Sequence, residues 1–405
     1  MGNNKNKGKK KKRNKGKNNN KKNNALVPQF IDNDKVKVGG TYHGILEVNP
    51  KGYGFIRKLN HEFSKGDKDP FINPEEIKYF DLRPGLVLQG EFEEDQKGNR
   101  RIYTIESIND QPAENWQKVQ RFEHQTPIMP DEQILLATGP EDIDMRVMDL
   151  VAPIGKGQRA LLVAPPRTGK TVLLKELAKS IDQNYKDIDV AILLVDERPE
   201  EVTDFIRSTN AEVFASSNDK STESHVRITE LALGYVKRKA EQGKDAVLLI
   251  DSITRLGRAY NAFQSNSGRT LSGGLDIRAL EIPKKVFGSA RNIEGAGSLT
   301  IIATCLVETN SKMDDLIFEE FKGTGNMELV LDRDLANDRI YPAINITASG
   351  TRNEDKFITG SLEERNMVRR YLLKKSPKES MQSLLQVLRR TKSNEELLQQ
   401  VAAYG

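Results

Sequence analysis

The sequence predicts an α/β core in which helices cover a parallel sheet, preceded by a small β-barrel and a disordered basic tail. Three patterns support this order: a Lys- and Asn-rich start, then short apolar runs separated by turn residues, then apolar strands that alternate with helical patterns. A chain of 405 residues is long enough for two to three such units. The expected parts are a disordered Lys/Asn-rich tail at 1–35, a barrel at 36–110, a linker at 111–147 and the α/β unit with a helical C-terminus at 148–405.

The N-terminal tail carries a large share of the positive charge of the chain. Residues 1–24 hold ten Lys, one Arg and no acid, whereas the whole chain has a net charge of only +5, so the remainder is mildly acidic. Such a segment has too little apolar surface to offset the entropy of ordering it. It either keeps the protein soluble or attracts nucleic acid non-specifically, and the barrel that follows it favours the second interpretation.

The composition also excludes several classes of protein. The basic tail is followed by no apolar segment of signal-peptide length, and the chain has no run of about 18 apolar residues that could span a bilayer. The single cysteine, Cys305, excludes intrachain disulfides and cysteine metal clusters, and its apolar neighbours predict a buried strand thiol. The sequence therefore predicts a cytoplasmic protein without a membrane partner.

Five short strands with turn residues between them predict the barrel, and they are 41–48, 52–57, 70–72, 87–93 and 101–108. Alternation along the second strand puts Tyr53, Phe55 and Arg57 on one face. Two aromatic rings and a cation on a solvent face form a stacking platform for unpaired bases, and Phe71 can add a third ring. The alternative is that the rings fill the barrel core, but the flanking glycines leave space for a ligand and favour the platform.

Six apolar strands separated by helical segments predict the parallel sheet, and they are 159–163, 189–195, 212–215, 246–251, 299–304 and 328–331. Apolar residues between positions 228 and 236 recur at helical spacing and predict an amphipathic helix. The C-terminal segment 363–403 is helical by the same criterion.

The segment Ala164-Pro-Pro-Arg-Thr-Gly-Lys-Thr171 lies between the first of these strands and a helical run, which is the layout of a phosphate-binding loop. Backbone N–H groups of such a loop, together with the positive end of the helix dipole, bind phosphate oxygens. We expect Lys170 to reach the β- and γ-phosphates and the Thr171 hydroxyl to hold Mg²⁺. The usual pattern has Gly where this chain has Ala164.

Acidic residues lie at the ends of two further predicted strands. Asp251 ends one strand, where such an acid supports Mg²⁺ beside a phosphate loop. Glu197 follows another strand and is placed to activate the attacking water, although the same stretch also fits a helix cap with a surface ion pair. Phosphoryl transfer needs positive charge on the γ-phosphate, for which Arg198 of the same chain and Arg352 of a neighbouring subunit are candidates.

Together these segments resemble the Rho family of bacterial transcription termination factors, which are ring-shaped RNA-dependent ATPases and 5′→3′ RNA helicases. The resemblance covers residues from about 41 to 390, and in this family the phosphate loop lacks its first Gly. Besides that loop, it is carried by Asp196-Glu-Arg-Pro-Glu-Glu-Val202, by Leu249-Ile-Asp-Ser-Ile-Thr-Arg255 with Ala259-Tyr-Asn261, and by Phe318-Glu-Glu-Phe-Lys-Gly-Thr-Gly-Asn-Met-Glu-Leu329.

The resemblance implies a RecA-like ATPase core and an N-terminal barrel of the OB-fold or cold-shock type. It implies a cytoplasmic homohexamer that binds ATP with Mg²⁺ and single-stranded, pyrimidine-rich nascent RNA. RNA polymerase and elongation factors are the further partners that it implies. These features together describe an RNA translocase that ends transcription.

The resemblance also implies roles for individual residues of the ATP site. Glu197 activates water, Lys170, Arg198 and Arg352 assist catalysis, and Thr171 and Asp251 support Mg²⁺. The implied ATP-binding residues, among which Tyr341 stacks on adenine, are Arg167, Thr168, Gly169, Lys170, Thr171, Val172, Arg198, Arg339 and Tyr341. Arg255 and Arg339 lie near the subunit interface in such rings.

RNA binding is implied at two sites. The primary site, on the barrel, consists of Tyr53, Phe55, Arg57, Asp69 and Phe71. The secondary site lines the central pore and includes Arg269 and Gly273 in one loop and Lys312 in another. A Gly-rich loop is mobile, so a cation on it can follow a phosphate as the nucleotide site changes state. Without the resemblance, both loops read as solvated surface.

Two departures from the family pattern stand out. The Lys/Asn tail occupies the place of a small helical segment that the family often has, and the tail can substitute as an RNA-attracting arm. In addition, Arg100-Arg-Ile-Tyr103 does not align with the acidic and aromatic base contacts of the family. Stacking of bases is therefore better supported than a preference for cytosine.

Two other classes of protein share parts of this pattern. A catalytic subunit of the rotary ATP synthase type shares the Asp-Glu-Arg stretch, but it predicts a Gly-rich phosphate loop and a barrel without aromatic residues for stacking bases. This chain has Pro165-Pro166 in the loop and Tyr53 with Phe55 on the barrel. A non-catalytic RNA-binding regulator predicts loss of catalytic residues, whereas the implied catalytic and Mg²⁺-supporting residues are all present.

Overall fold

The computed structural model describes Met1 and residues 38–60, 63–264, 274–276 and 278–404. The tail predicted to be disordered at 1–35 lies outside these residues, apart from Met1. In the described part, the chain begins with a barrel, continues through a packed connecting segment, and ends in an α/β core with three C-terminal helices.

The barrel consists of short strands and one helix, and its elements are β1 (Val38–Val48), β2 (Gly54–Lys58), β3 (Phe71–Ile72), α1 (Pro74–Tyr79), β4 (Val87–Glu94), β5 (Arg100–Ile102), β6 (Ser107–Ile108) and β7 (Gln111–Pro112). The strand path β1-β2-β3-β5-β4 returns to β1, because β1 pairs with both β2 and β4. Five strands therefore close around an apolar interior that includes Leu46, Ile56, Leu88 and Ile102. The predicted barrel is confirmed.

The last predicted barrel strand, 101–108, is divided in two. Phe92 of β4 lies opposite Ile102, and Gln89 lies opposite Ser107, so the segment between β5 and β6 contains two more residues than β4 does. Gly90 allows this bulge, since a Cβ at Gly90 would lie 2.1 Å from the carbonyl oxygen of Thr104. The sequence pattern shows the strand but not this local irregularity.

The segment predicted as a linker packs closely against its neighbours. After β7, it contains two 3₁₀ turns, two short strands and the start of a helix, which are Ala113–Lys118, Phe122–His124, β8 (Pro127–Ile128), β9 (Gln133–Ile134) and α2 (Ile143–Val151). The strand β10 (Ile154–Gly155) follows α2 and pairs with β9. Trp116 is buried in the barrel core, and its indole N–H donates to the Asp81 carbonyl at 3.0 Å. The helix α2 begins before residue 148, where the α/β unit was expected to start.

The α/β core is built on a largely parallel sheet. Its strands are β11 (Arg159–Ala164), β12 (Ile188–Glu197), β13 (Glu212–Ser217), β14 (Asp245–Asp251), β15 (Arg291–Ile293), β16 (Ser298–Leu306), β17 (Met327–Val330) and β18 (Gly350–Thr351). The main path is β13-β12-β14-β16-β11-β17-β18, in which only β18 is antiparallel to its neighbour. All six predicted core strands are present, most of them one to three residues longer than the sequence pattern indicated.

Helices cover both faces of this sheet. They are α3 (Lys170–Asn184), α4 (Pro199–Ser208), α5 (Thr222–Glu241), α6 (Ile253–Gln264), α7 (Glu281–Phe287), α8 (Lys312–Lys322), α9 (Arg333–Asn337), α10 (Leu362–Leu372), α11 (Pro377–Leu388) and α12 (Asn394–Tyr404). Alternation along β11 divides its side chains between two apolar clusters: Leu162 belongs to one cluster, and Leu161 and Val163 belong to the other. The prediction of a parallel sheet between helices is confirmed.

The barrel packs directly on the helix α5 side of the core. Phe63, from the loop after β2, stacks on Phe214 of β13 with ring centroids 4.5 Å apart. Arg83 forms a buried ion pair with Glu241 at 2.8 Å. Gly85 has φ +91° and lies against Gly234 of α5, where a Cβ would be 2.2 Å from a backbone carbon. The two units therefore meet through close backbone contact, an aromatic stack and a buried charge pair.

Candidate functional site

The phosphate loop connects β11 to α3 in the way the sequence predicts. Ala164 is the buried last residue of β11, and Gly169 adopts φ +92° as the N-cap of α3. Within the loop, the buried Thr168 hydroxyl donates to the Pro165 carbonyl at 2.8 Å, and Arg167 takes φ +67°. No side chain among the described residues caps the first turn of α3, so its N–H groups remain available for an anion.

The strand ends bring two carboxylates to the same edge of the sheet as this loop. Asp251 ends β14 and is fully buried, while Glu197 ends β12 and is 2% exposed. The two strands are adjacent and parallel, with Leu194 opposite Asp251. The structure therefore brings together the phosphate loop, the acid expected to support Mg²⁺ and the acid expected to activate water.

Asp251 has one oxygen paired and one free within the described residues. Its Oδ1 forms an ion pair with the Lys170 ammonium and accepts from the Thr304 hydroxyl at 2.9 Å. Its Oδ2 is buried and has no hydrogen-bond partner there. Carboxylate and hydroxyl oxygens are the hard donors that suit Mg²⁺, so the unpaired Asp251 oxygen and the Thr171 hydroxyl, in the first turn of α3, fit that ion.

The pKa of Glu197 is raised to about 8, because the carboxyl group is buried and lies near the negative charge of Asp251. Lys170 and Arg255 act in the opposite direction, and the Arg255 Nε lies 3.0 Å from Glu197 Oε1. Asp196, just before Glu197, has φ +57°, and the register with β13 shifts at this point. This irregular backbone turns the Glu197 side chain inward, as bulges near active sites often do.

Arg255 therefore has a partner that the sequence did not indicate. In the structure, Arg255 of α6 is paired with Glu197 of its own chain, and its place near a subunit interface stays a prediction. Arg198, in contrast, is exposed at the N-cap of α4, directly before Pro199 at the first helical position. Of these two arginines, Arg255 therefore contacts Glu197 and Arg198 lies at the surface.

A cavity of about 320 Å³ opens beside the phosphate loop. It is lined by Asp144, Thr168, Gly169, Val172, Leu173, Leu331, Tyr341, Pro342 and Ala343. Tyr341 and Val172 are both exposed, at 43% and 54%, so each offers a bare surface to a planar ligand. Tyr341 thus lines a cavity that it shares with the phosphate loop, and its stacking on adenine stays a prediction. Arg339 is exposed, two residues before Tyr341, with φ +58°.

Arg352 lies at the opposite edge of the sheet from the phosphate loop of its own chain. Its backbone N–H donates to the Asn326 carbonyl at 2.9 Å, and the Asn326 amide oxygen accepts from the Arg159 N–H at 2.9 Å. Arg159 begins β11, whereas the phosphate loop follows the end of that six-residue strand. A strand of this length spans about 17–20 Å, so Arg352 is too far away to serve its own phosphate loop.

Three aromatic side chains form a cluster on the barrel, hereafter the platform. The ring centroids of Tyr53, Phe55 and Phe71 lie 5.6–5.8 Å apart. All three rings are half-buried, and none belongs to the apolar core of the barrel. The alternative in which these rings fill the barrel core is therefore wrong: Phe55 of β2, Phe71 of β3 and Tyr53, just before β2, lie outside it.

The prediction that Arg57 lies on a solvent face is wrong. Arg57 is 6% exposed and is held below Phe55, with its guanidinium carbon 4.8 Å from the ring centroid. Its Nη1 pairs with Asp69 at 2.7 Å and its Nε with Glu47 at 2.5 Å. The ion pairs with Glu47 and Asp69 hold the Arg57 guanidinium against the inner side of the Phe55 ring, away from solvent. Arg57 and Asp69 therefore support the platform from beneath.

The ion pairs beneath the platform continue into the core. Glu47 also accepts from Arg227 of α5, with Nε–Oε1 and Nη2–Oε2 distances of 2.6 and 2.8 Å. The same acid therefore links the cation under Phe55 to a helix of the α/β core. At the other side of the platform, Arg101 lies opposite Phe71 and pairs with the buried Glu76 at 2.9 Å.

The implied secondary RNA site is only partly described. Arg269 and Gly273 lie outside the described residues. Lys312 is the exposed first residue of α8, and Glu308 and Asn310 in the loop before it both have positive φ. Asp314 fixes this loop, because it accepts from the Thr309 hydroxyl at 2.6 Å and from the Arg258 guanidinium at 2.5 and 2.8 Å.

Two other predictions concern the whole chain. Cys305 is fully buried in β16 beside the Thr254 hydroxyl, and burial raises its thiol pKa to about 12, so the prediction of a buried strand thiol is confirmed. Among the residues that the structure describes, no helix has both the length and the apolar character needed to cross a membrane.

Comparison with known proteins identifies both parts of the chain. Residues 42–114 match the family "Rho termination factor, RNA-binding domain". Residues 144–351 match the family "ATP synthase alpha/beta family, nucleotide-binding domain". The barrel is therefore an RNA-binding domain of the OB type, and the core is a nucleotide-binding ATPase domain of the RecA-like class.

Solved structures with the same fold are found among ATPases. An ATPase from the type III secretion system of pathogenic bacteria is similar with a TM-score of 0.57 and 21% identity, covering 68% of this chain and 86% of that one. The ATP synthase subunit NeqB from Nanoarcheaum equitans gives a TM-score of 0.52 and 18% identity, with 62% of each chain covered. At such identities the likeness shows the fold alone.

Curated relatives are much more similar in sequence. The "Transcription termination factor Rho" of Haemophilus influenzae is 44% identical over 93% of this chain and 90% of its own length. The proteins of the same name from Borreliella burgdorferi and Thermotoga maritima are 48% and 47% identical over 87% and 88% of this chain, and over 69% and 84% of their own lengths. With this identity over nearly the whole chain, the protein belongs to the family of the transcription termination factor Rho.

Proposed function

We propose that this protein is an ATP-driven 5′→3′ RNA translocase and helicase that binds nascent RNA and terminates transcription by RNA polymerase. The observation that carries the proposal is the combination of two sites in one chain. A phosphate loop with two buried carboxylates lies at one end of the core sheet, and a three-ring platform lies outside the barrel core. An ATPase that does not bind RNA does not require the platform. An RNA-binding protein that does not hydrolyse ATP does not require the two carboxylates.

The ATP half of the proposed mechanism begins with the ion pairs of the site. Lys170 is paired with Asp251, so phosphate binding exchanges this contact for one between Lys170 and the β- and γ-phosphates. When bound, Mg²⁺ supplies charge neutralisation on the phosphates, and Thr171 and Asp251 are the residues that would hold it. Arg167, Thr168, Gly169 and Val172 complete the phosphate and base contacts of our assignment.

Glu197 is the proposed acceptor of the proton from the attacking water. A carboxyl group with a pKa of about 8 binds its proton far more strongly than an exposed glutamate does, which brings it close to the operating pH at which general bases work best. Arg255, 3.0 Å away, orients the carboxylate and favours its ionised form. We assign Arg198, which is exposed next to Glu197 in sequence, to the γ-phosphate side of a nucleotide.

Arg352 supports the proposal of a homohexameric ring. Because it lies a strand length from the phosphate loop of its own chain, it can act on a γ-phosphate only in a neighbouring copy. In such a ring, each ATP site needs residues from two neighbouring subunits. The rate of hydrolysis therefore depends on how these two subunits are positioned relative to each other. Arg339, exposed near Tyr341, is the other cation that we assign to this interface.

RNA movement is assigned to the secondary site. Lys312 is the exposed first residue of α8, and we propose that it contacts the RNA phosphate backbone together with Arg269 and Gly273. The platform captures single-stranded, pyrimidine-rich RNA, which then passes to this second site. Elongation factors are further proposed partners, and the cytoplasm is the proposed location.

The division of the chain also remains a proposal. We assign 1–35 to a tail that attracts RNA, 36–110 to the RNA-binding domain, 111–147 to the connection and 148–405 to the ATPase domain. The packed connection and the direct contacts between barrel and core support the proposal that RNA binding and hydrolysis are linked within one subunit.

Removing the platform rings is expected to weaken RNA binding without unfolding the barrel. The double variant Tyr53→Ala/Phe55→Ala should lose about 1–3 kcal/mol of binding free energy for each lost stack on single-stranded RNA. The rings lie outside the barrel core, so the melting temperature should change little. Fluorescence anisotropy with labelled poly-cytidine measures the affinity, and differential scanning fluorimetry measures the stability.

Tyr79→Ala is the matched control for this variant. It removes another half-exposed aromatic ring from the same barrel, outside the platform, and should leave RNA affinity unchanged. If the double variant binds RNA as tightly as the unaltered protein does, the platform has no part in RNA binding.

A further inference from the structure

One outer face of the barrel carries both the platform and a contact with the core. Side chains two residues apart on β1 share a face, so Ile45 and Glu47 lie on the same side of that strand. Ile45 is fully buried and belongs to the same apolar cluster as Phe214 of β13 and Val226 of α5. Glu47 lies opposite Phe55 in the register of β1 with β2. Glu47 is therefore placed between the contact with the core and the platform.

Arg227 of α5 holds this acid from the core. It donates two hydrogen bonds, one to each carboxylate oxygen of Glu47. Its Nη2 also donates to the backbone carbonyl of Phe63, whose ring stacks on Phe214. The planar guanidinium presents these donors in a fixed geometry, which a lysine ammonium does not. One side chain of the core thus fixes both the acid beneath the platform and the loop by which the barrel packs on the core.

The charges beneath the platform balance because Arg227 is among them. Two acids, Glu47 and Asp69, are paired with two cations, Arg57 and Arg227. Burial acts to raise the pKa of Glu47, but the hydrogen bonds and charges of the two arginines outweigh it, so this pKa lies below its ordinary value. Glu47 is therefore ionised at neutral pH. Without Arg227, a single cation would serve two acids, and a partly buried negative charge would remain.

The position of the Phe55 ring depends on the same ion pairs. The Arg57 guanidinium packs on that ring, and two of its nitrogens are held by Glu47 and Asp69. A ring that is already fixed binds a base without losing further freedom, whereas a loosened ring must first be ordered. The affinity of the platform for bases therefore depends on a contact that the core supplies.

We propose that Arg227 is a positioning residue of the primary RNA site, and that through Glu47 it makes RNA capture by the barrel depend on packing of the barrel against the ATPase core. The inference rests on the proposed role of the platform in RNA binding. Arg227 acts through Glu47 and Arg57 and does not itself touch RNA. Because coupling between two binding events is reciprocal, RNA on the platform also strengthens the contact between the barrel and α5.

The test measures the affinity of the full chain for labelled poly-cytidine by fluorescence anisotropy, in Arg227→Met, Phe55→Ala and the double variant. Methionine keeps an unbranched apolar side chain but lacks the guanidinium. We expect Arg227→Met to weaken binding by at least about fivefold, the lower end of typical coupling between sites. In the Phe55→Ala background, the same substitution should change the affinity by less than about twofold, because the ring that Arg227 positions is absent.

The salt dependence of binding separates positioning from direct contact. Loss of a cation that contacts an RNA phosphate lowers the slope of log affinity against log salt by about one. We expect the slope of Arg227→Met to equal that of the unaltered chain, because Arg227 is assigned no phosphate contact.

Lys239→Gln is the matched control, since it removes another cation between α5 and its neighbours. Lys239 lies about three turns further along α5, where it pairs with Asp110 and with Asp189 of β12. RNA affinity should be unchanged in this variant. Arg227→Lys keeps the charge but not the forked hydrogen bonds, so it should lose part of the affinity. Circular dichroism checks that each variant folds, and Arg227→Lys decides the matter if Arg227→Met does not.

RNA affinity equal to that of the unaltered chain in a folded Arg227 variant would overturn the inference. So would a loss that adds in full to that of Phe55→Ala, a lower salt slope, or an equal loss in Lys239→Gln. If Phe55→Ala itself leaves the affinity unchanged, the proposed role of the platform is contradicted instead.

Discussion

Glu197→Gln is expected to lower RNA-stimulated ATP turnover by about 10²–10⁴-fold, the range by which a positioned general base accelerates proton transfer. Gln has the same shape but cannot accept the proton of the attacking water. Nucleotide affinity should persist, since the phosphate loop and the base cavity are untouched. Steady-state turnover and equilibrium binding of a fluorescent ATP analogue measure the two quantities.

The same variant should fold at least as well as the unaltered chain. The pKa of Glu197 is raised from its ordinary value to about 8, so the folded state favours the protonated, uncharged group. This contribution to stability is lost as the pH rises through about 8, and a neutral amide avoids that loss. Glu200→Gln, at an exposed position on α4, is the matched control and should keep full turnover. Turnover that survives in Glu197→Gln would remove the proposed role of this residue.

Arg352→Ala should lower turnover by about 10³–10⁵-fold, the effect of an arginine that stabilises the transition state of phosphoryl transfer. The side chain is exposed and lies far from the phosphate loop of its own chain, so folding and nucleotide binding should be preserved. Lys356→Ala removes an exposed cation from the segment that follows and serves as the control. Turnover of the purified variants, measured with RNA present, shows the difference.

Mixing variants tests whether Arg352 acts between subunits. In a ring made from Glu197→Gln and Arg352→Ala chains, some interfaces combine an intact Glu197 from one chain with an intact Arg352 from the other. These mixtures should regain measurable turnover, whereas the double variant alone should regain none. If the mixture is no more active than either variant alone, Arg352 does not act in trans.

The phosphate loop and the strand-end carboxylates were predictable because their signals are local in sequence. Each functional group follows an apolar strand, and parallel strands bring their carboxyl ends to one edge. The platform was predictable for the same reason, since alternation within β2 is a local property.

The partners of these groups were not predictable, because they come from distant segments. Arg57 is drawn under Phe55 by Glu47 and Asp69, which lie 10 and 12 residues away on other segments. Glu197, at the end of β12, is paired with Arg255 of α6, which follows the adjacent strand β14. The sequence alone does not show which residues of two distant segments lie opposite each other. The ion pairs of the site could therefore be identified only from the structure.

The account rests on a coupling between RNA capture and ATP hydrolysis in one chain. The most direct test is ATP turnover by the purified full chain, measured with and without single-stranded poly-cytidine. The account predicts slow turnover in the absence of RNA and a clear increase when RNA is added. Equal, near-zero rates under both conditions would contradict it.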